Sequence, residues 1–257
     1  MQTEDLDYFK REKEIQNPIF FFRFPNLTFY NLKVLDLGCG HGALSIDIAE
    51  KGAAKVIGID LDKKRIDFAN ANLKINYEHF ANKVSFIATD LKKHDKRNYD
   101  IIISKASFEH IIDLDDLMLE IKNKLKIGGR LITGFGPLYS SPWGDHRRLK
   151  HNFPWSHVIL TQKYFINKLN KARTDKIESI YDLGLNGLLL KQYKKLFFNT
   201  KGFKVIDFRT NVTHKLSGKL FNIFTYIPGF KEFFTFNVYC ILERVDYQKP
   251  QERCFKL

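Results

Sequence analysis

Val34-Leu35-Asp36-Leu37-Gly38-Cys39-Gly40-His41-Gly42 runs from an apolar segment into three glycines at alternate positions. Lys33–Leu37 has the composition of a short strand, and Ala43–Lys51 follows with Leu44, Ile48 and Ala49 at helical spacing. A glycine turn between a first strand and a first helix lets the backbone approach a ligand closely. It also presents the free N–H groups of a helix N-terminus. The segment therefore reads as the ligand-binding turn of an α/β sheet.

Outward from it the pattern repeats. Lys55–Asp60 is a second strand, and Asp62–Lys74 a helix with Ile66, Ala69 and Leu73 on one face. Val84–Ala88 and Tyr99–Ser104 are the third and fourth strands. Asp113 can cap a helix through Leu125, ended by Gly128-Gly129, and Arg130–Phe135 is the fifth strand. The central strands are near-continuous apolar runs, as a parallel sheet covered on both faces requires. The alternation breaks after Gly136-Pro137. Residues 138–190 are rich in aromatics and histidine and read as an insertion or lid over the site. The pattern resumes with a helix at Lys191–Asn199 and strands at Lys204–Asn211 and Thr235–Arg244, joined by the long Phe-rich segment Val212–Phe234. Residues 1–31 read as an N-terminal helical extension and the tail from Asp246 as polar and loose. The whole is expected to form one domain.

The length of 257 residues and an apolar fraction of 44% suit one α/β domain with an elaboration. The net charge of +13 admits an anionic partner such as nucleic acid, a phosphorylated substrate or a lipid surface, but the Lys residues are spread along the chain and fit solvated helix faces. Cys39, Cys240 and Cys254 are too scattered for a disulfide framework or a metal site. With a charged N-terminus and no long apolar run, a cytoplasmic location is expected, and the sequons at Asn26 and Asn211 carry little weight.

Gly38-Cys39-Gly40-His41-Gly42-Ala43 also satisfies the GxGxxG/A pattern of dinucleotide sites, so a nicotinamide cofactor competes. Asp36, two residues before the first glycine, would repel a pyrophosphate and welcome an ammonium group. Asp60, closing the second strand, suits ribose hydroxyls under either reading. Asp90, closing the third, can accept from an adenine amino group with Leu91 against the ring. Three acidic strand ends lie in register where open α/β sheets bind ligands.

With those residues in place, the chain resembles the class I methyltransferases that use S-adenosylmethionine (SAM). The resemblance covers roughly Leu32 to Pro137, through Val34–Gly42, Gly58-Ile59-Asp60-Leu61, Ala88-Thr89-Asp90-Leu91, Tyr99–Ser104 with Phe108-Glu109-His110, and Leu125–Leu131. It returns more weakly in the segment ending at Arg244. It implies a doubly wound, seven-stranded, mostly parallel sheet whose last strand is antiparallel, with helices on both faces. It also implies that Asp36 and Gly38, in a loop with Cys39 and Gly40, hold the methionine end of SAM. Asp60 would take the ribose, Leu61 would flank the adenine beside Leu91, Asp90 would take the adenine amino group, and Ser104 would face the sulfonium.

On the acceptor side, His110 follows the fourth strand, at a position that in the family often lies near the transferred methyl. His146 is a second candidate catalytic residue, since imidazole titrates near neutrality. Tyr139 and Trp143 are read as pocket walls, and Arg147 and Arg148 as anchors for a carboxylate or phosphate. His151, His157 and His214 lack ligand spacing, so no metal is expected. Ser104-Lys105-Ala106-Ser107 stands where methyltransferases of planar amino groups carry Asn/Asp-Pro-Pro-aromatic. A small or medium acceptor (a glycan, lipid-linked metabolite or natural product) is therefore expected. RNA methylation, from the basic charge, and a non-catalytic partner subunit are the alternatives. Ile19–Phe22 and Ile227–Phe234 are read as packing elements or as an apolar patch for a lipidic substrate, a partner or a membrane surface.

Overall fold

The computed structural model describes residues 3–149, 153–213 and 215–246. His151, His214, Cys254 and the tail beyond Asp246 lie outside the described residues.

Seven strands form one sheet in the order β3-β2-β1-β4-β5-β7-β6. They are β1 (Lys33–Leu37), β2 (Lys55–Asp60), β3 (Val84–Ala88), β4 (Tyr99–Lys105), β5 (Leu125–Phe135), β6 (Phe203–Thr210) and β7 (Val238–Arg244). β1 to β5 pair in parallel, and β7 lies antiparallel between β5 and β6. The sheet is the one the resemblance implies, and its parallel strands are those the alternation of apolar runs and helices implies.

Ten α-helices surround it: α1 (Thr3–Arg11), α2 (Asn17–Phe22), α3 (Ala43–Glu50), α4 (Lys63–Asn76), α5 (Leu114–Lys124), α6 (Ser156–Ile159), α7 (Gln162–Asn170), α8 (Leu190–Asn199), α9 (Leu216–Ile223) and α10 (Lys231–Phe234) among the described residues. A π-turn at Glu12–Gln16 joins α1 to α2. Asp62 caps α4 by accepting from the Lys64 and Arg65 amides, and Asp113 caps α5 by accepting from the Asp116 amide.

Two apolar clusters fill the two faces of the sheet. One gathers Val34, Val56, Ile101, Ile103 and Ile132 with Phe9, Phe20 and the apolar sides of α3 and α4. The other gathers Leu35, Ile57, Ile102 and Leu131 with α5 and α8. Successive β-residues point to opposite faces, so Val34 and Leu35 fall in different clusters. Because both neighbours are apolar, the strand reads as a continuous apolar run.

α5 ends at Lys124, not at the glycine pair. Leu125 already belongs to β5, and Gly128-Gly129 lies inside that strand where its register with β4 shifts between Tyr99 and Ile101. A Cβ on Gly129 would stand 2.9 Å from the carbonyl oxygens of Lys126 and Tyr99, so this bulge excludes a side chain. The insertion builds a small core of its own from Phe165, Ile166, Leu169, Ile177, Ile180, Leu183 and Leu185.

Candidate active site

A cavity of about 950 Å³ opens at the carboxyl ends of β1, β2, β4 and β5. The glycine turn forms one wall. Gly38, Gly40 and Gly42 have φ of +76°, +53° and +84°. A side chain at Gly38 would meet the Ser107 hydroxyl at 2.3 Å, and one at Gly42 the Phe86 ring at 2.5 Å. At Gly40 nothing lies within 4 Å, so the missing side chain leaves open room beside the backbone. The expected cofactor needs such room.

Asp36 ends in the cavity wall with its carboxylate buried, accepting from the Ser45 hydroxyl at 2.6 Å. Burial pushes its pKa up to about 6, against the pull of the Ser45 bond and of Lys105. Asp60 braces the glycine turn: one oxygen accepts from the Gly40 amide and the other from the Asp62 amide, each at 2.9 Å. Asp90 accepts from the Lys92 amide at 2.7 Å. Asp36, Gly38, Cys39, Gly40, Asp60, Leu61, Asp90 and Leu91 all line the one cavity. The Cys39 thiol is pushed well above its ordinary value by burial, then by Asp36 and Asp60, which makes it a packing group.

Ser104 does not line the cavity: it is fully buried and donates to the Leu37 carbonyl at 3.0 Å. β4 runs one residue further than the sequence suggests, so Lys105, Ala106 and Ser107 hold the exit that Ser104 was expected to hold.

The same cavity is lined by Glu109, His110 and His146. The two imidazole rings lie 5.1 Å apart, centre to centre. His110 donates from Nδ1 to the Gly184 carbonyl at 2.5 Å, which leaves Nε2 as the basic nitrogen. Burial, then the neighbouring His110, lowers the His146 pKa to about 4, so its ring is neutral at physiological pH and a weaker base than its residue type suggests. Glu109 was quoted in the motif but given no role. Burial raises its pKa to about 7; one oxygen accepts from the Gly136 amide at 3.1 Å and the other has no partner. The expectation of no metal rested on sequence spacing. Folding nevertheless gathers this trio, with ligand-type atoms within 4.8 Å of one another.

Tyr139, Trp143 and Arg147 do not line the cavity; Arg148 does. His146 and Arg147 both have positive φ, 53° and 58°, and this turn leaves Arg147 exposed, its guanidinium 5.0 Å over the Trp143 ring. Tyr139 packs instead on the insertion's own core, 5.0 Å from the His157 ring.

Sequence reasoning missed the N-terminal segment. Tyr8, Glu12 and Gln16 line the cavity, the Tyr8 ring 4.7 Å from that of His41 in the glycine turn. Asp5 meets His41 at 3.0 Å, and Lys105 pairs with Glu12 at 2.7 Å and donates to Asn17. A helix of charged residues gives no motif by which this could be found.

Three comparisons bear on the family. A family model described as a methyltransferase domain matches residues 29–173. The chain is 37% identical over 99 residues to a ubiquinone biosynthesis O-methyltransferase of Pelagibacter ubique, covering 38% of this chain and 40% of that one. It is also 37% identical over 102 residues to a ribosomal protein L11 methyltransferase of Dictyoglomus thermophilum, covering 40% of this chain and 32% of that one. The matched stretches thus span less than half of these relatives. A SAM-dependent methyltransferase structure from Mesorhizobium loti shares the fold at TM-score 0.57 and 16% identity, over 86% of this chain and 95% of that one. Geranyl diphosphate C-methyltransferase from Streptomyces coelicolor does so at 0.57 and 16%, over 90% and 81%.

Proposed function

This chain belongs to the class I SAM-dependent methyltransferase family, and from that premise we propose that it transfers a methyl from SAM to an oxygen or nitrogen of a small or medium acceptor. The observation that carries the reading is the single cavity lined both by Asp36, Asp60, Asp90 and the glycine turn and by Glu109, His110 and His146. SAM supplies an activated methyl on a sulfonium. Asp36 and Gly38 hold its ammonium end, with Cys39 and Gly40 giving backbone room. Asp60 takes the ribose hydroxyls, Leu61 and Leu91 flank the adenine, and Asp90 accepts from its amino group. The chain's remaining task is to align the nucleophile with the methyl and shield it from water. His110 and His146 are the catalytic candidates, with Glu109 beside them and Arg148 at the cavity edge.

The acceptor is of lipid-linked type. The segment between β6 and β7 exposes Leu216, Leu220, Ile223, Phe224, Tyr226, Ile227, Phe230 and Phe233, with Lys215, Lys219 and Lys231 among them. An apolar face set with cations suits approach to an anionic lipid surface.

Calorimetry with S-adenosylhomocysteine (SAH), the demethylated cofactor, tests the core of the reading. The wild type is expected to bind, and Asp60→Ala to bind at least about tenfold more weakly, since its carboxylate both braces the Gly40 amide and faces the ligand. Equal binding by the two proteins refutes it.

A further inference from the structure

Glu109 and His110 leave β4 in a single 3-10 turn, whereas His146 comes from the insertion. Their ligand-type atoms nevertheless converge, all within 4.8 Å of one another. We propose that Glu109, His110 and His146 form a binding site for a divalent first-row transition ion of the Zn²⁺ class at the acceptor end of the cavity.

Three observations carry it. Glu109 is 4% exposed, yet Oε2 has no hydrogen-bond partner, while Oε1 is already engaged by the Gly136 amide. A carboxylate oxygen withdrawn from water without a donor is costly, and a cation supplies what it lacks. His146 Nε2 is likewise buried and unpartnered. His110 is oriented by the bond from Nδ1 to the Gly184 carbonyl, which leaves the Nε2 lone pair free. Metal-binding imidazoles are commonly held in this way.

The donor set selects the ion. Two imidazoles and one carboxylate suit Zn²⁺ and its transition-metal neighbours, whereas Mg²⁺ and Ca²⁺ prefer an all-oxygen shell. Bonds of about 2.1 Å set tetrahedral ligand atoms about 3.4 Å apart. The trio therefore closes by somewhat more than an ångström on binding, through rotation of side chains of which two offer unpartnered atoms. The cations nearby are already engaged: Lys105 by Glu12 and Asn17, and Arg148 by the Leu183 carbonyl.

Three protein ligands leave the ion's open positions toward the cavity the trio lines. An acceptor hydroxyl or carboxylate oxygen would complete the shell; this last step rests on reading that end as the acceptor site.

The full chain, stripped with a chelator and dialysed, is titrated with Zn²⁺ by calorimetry and with Co²⁺ by visible absorption. SAH binding is measured on every variant. One tight equivalent with cobalt ligand-field bands is expected in the wild type. His110→Ala and His146→Ala should lose the bands and weaken the equivalent by more than the roughly 10–100-fold that outer partners are worth. SAH binding should persist, and His79→Ala, which removes an exposed imidazole, should change nothing. Glu109→Gln should behave like the His variants; if it does not fold, those two decide. Absence of the equivalent in a wild type that binds SAH overturns the metal site and leaves the methyltransferase reading intact. An unchanged equivalent in both His variants overturns it as well.

Discussion

Asp36 carries a burden that its neighbours in the strand do not. Its carboxylate is buried, and burial holds its pKa at about 6 against an ordinary 3.8. The folded protein therefore keeps a proton that the unfolded chain releases. This favours the native state fully below the ordinary value and is lost as pH rises to about 6. Above that, the buried charge costs the fold on the order of 3 kcal/mol. Asp36→Asn keeps the shape and removes the charge. It is expected to raise the melting temperature by several degrees at pH 8 and hardly at all near pH 4, as scanning calorimetry at the two pH values would register. On the role proposed for Asp36, the same variant should also lose SAH binding, a trade of stability for a ligand. In the wild type, SAH affinity should fall as pH drops below about 6.

At the level of elements, the N-terminal helical segment stands out. α1 and α2 reach the core through Phe9 and Phe20, and polar ties fix their outer side. Lys13 binds Asp47 and Glu50 at 2.5 and 2.6 Å, and Lys105 binds Glu12. The π-turn between the helices holds Glu12 and Gln16, both facing the cavity. Lys105→Met should loosen this cover. Amide exchange over residues 9–22 is expected to quicken severalfold by mass spectrometry, and SAH should restore less protection than in the wild type. The strands and the acidic strand ends were legible in the sequence because their signals are local: an apolar run, a glycine, an Asp at a fixed offset. Ser104 was not, because its hydroxyl is taken up by the Leu37 carbonyl, a contact between β4 and β1 that no local signal in either strand marks. Glu109 was not, because its burial is made by Gly136 and by the insertion, whose Asn186 amide donates to its backbone carbonyl. The exposure of Arg147 was not, because it sits in a turn of two positive-φ residues that no glycine announced, and Tyr139 faces an insertion core that no local signal marks.

Across the whole molecule, the apolar surface is unevenly placed. The face around α9 and α10 leaves Leu216 72% and Tyr226 85% exposed, while Ile223 and Phe224 beside them are also open. No helix among the described residues is long and apolar enough to cross a membrane. Vesicles containing anionic lipid are expected to co-sediment with the wild type more than neutral ones. The double substitution Phe224→Ser and Tyr226→Ser should cut that binding at least about tenfold, from the apolar area lost. Equal binding to both vesicle types would remove the lipid-surface reading.

The placement of β7 has its own consequence. It lies between β5 and β6, which do not pair with each other. A ribosome delivering this chain completes six strands before the seventh arrives, and until then β5 and β6 each lack the partner that β7 supplies and present a bare edge to solvent or to a chaperone. Release of the nascent protein as a competent sheet thus waits on residues 238–244. A premature stop between β6 and β7 would leave two adhesive edges rather than a smaller closed sheet.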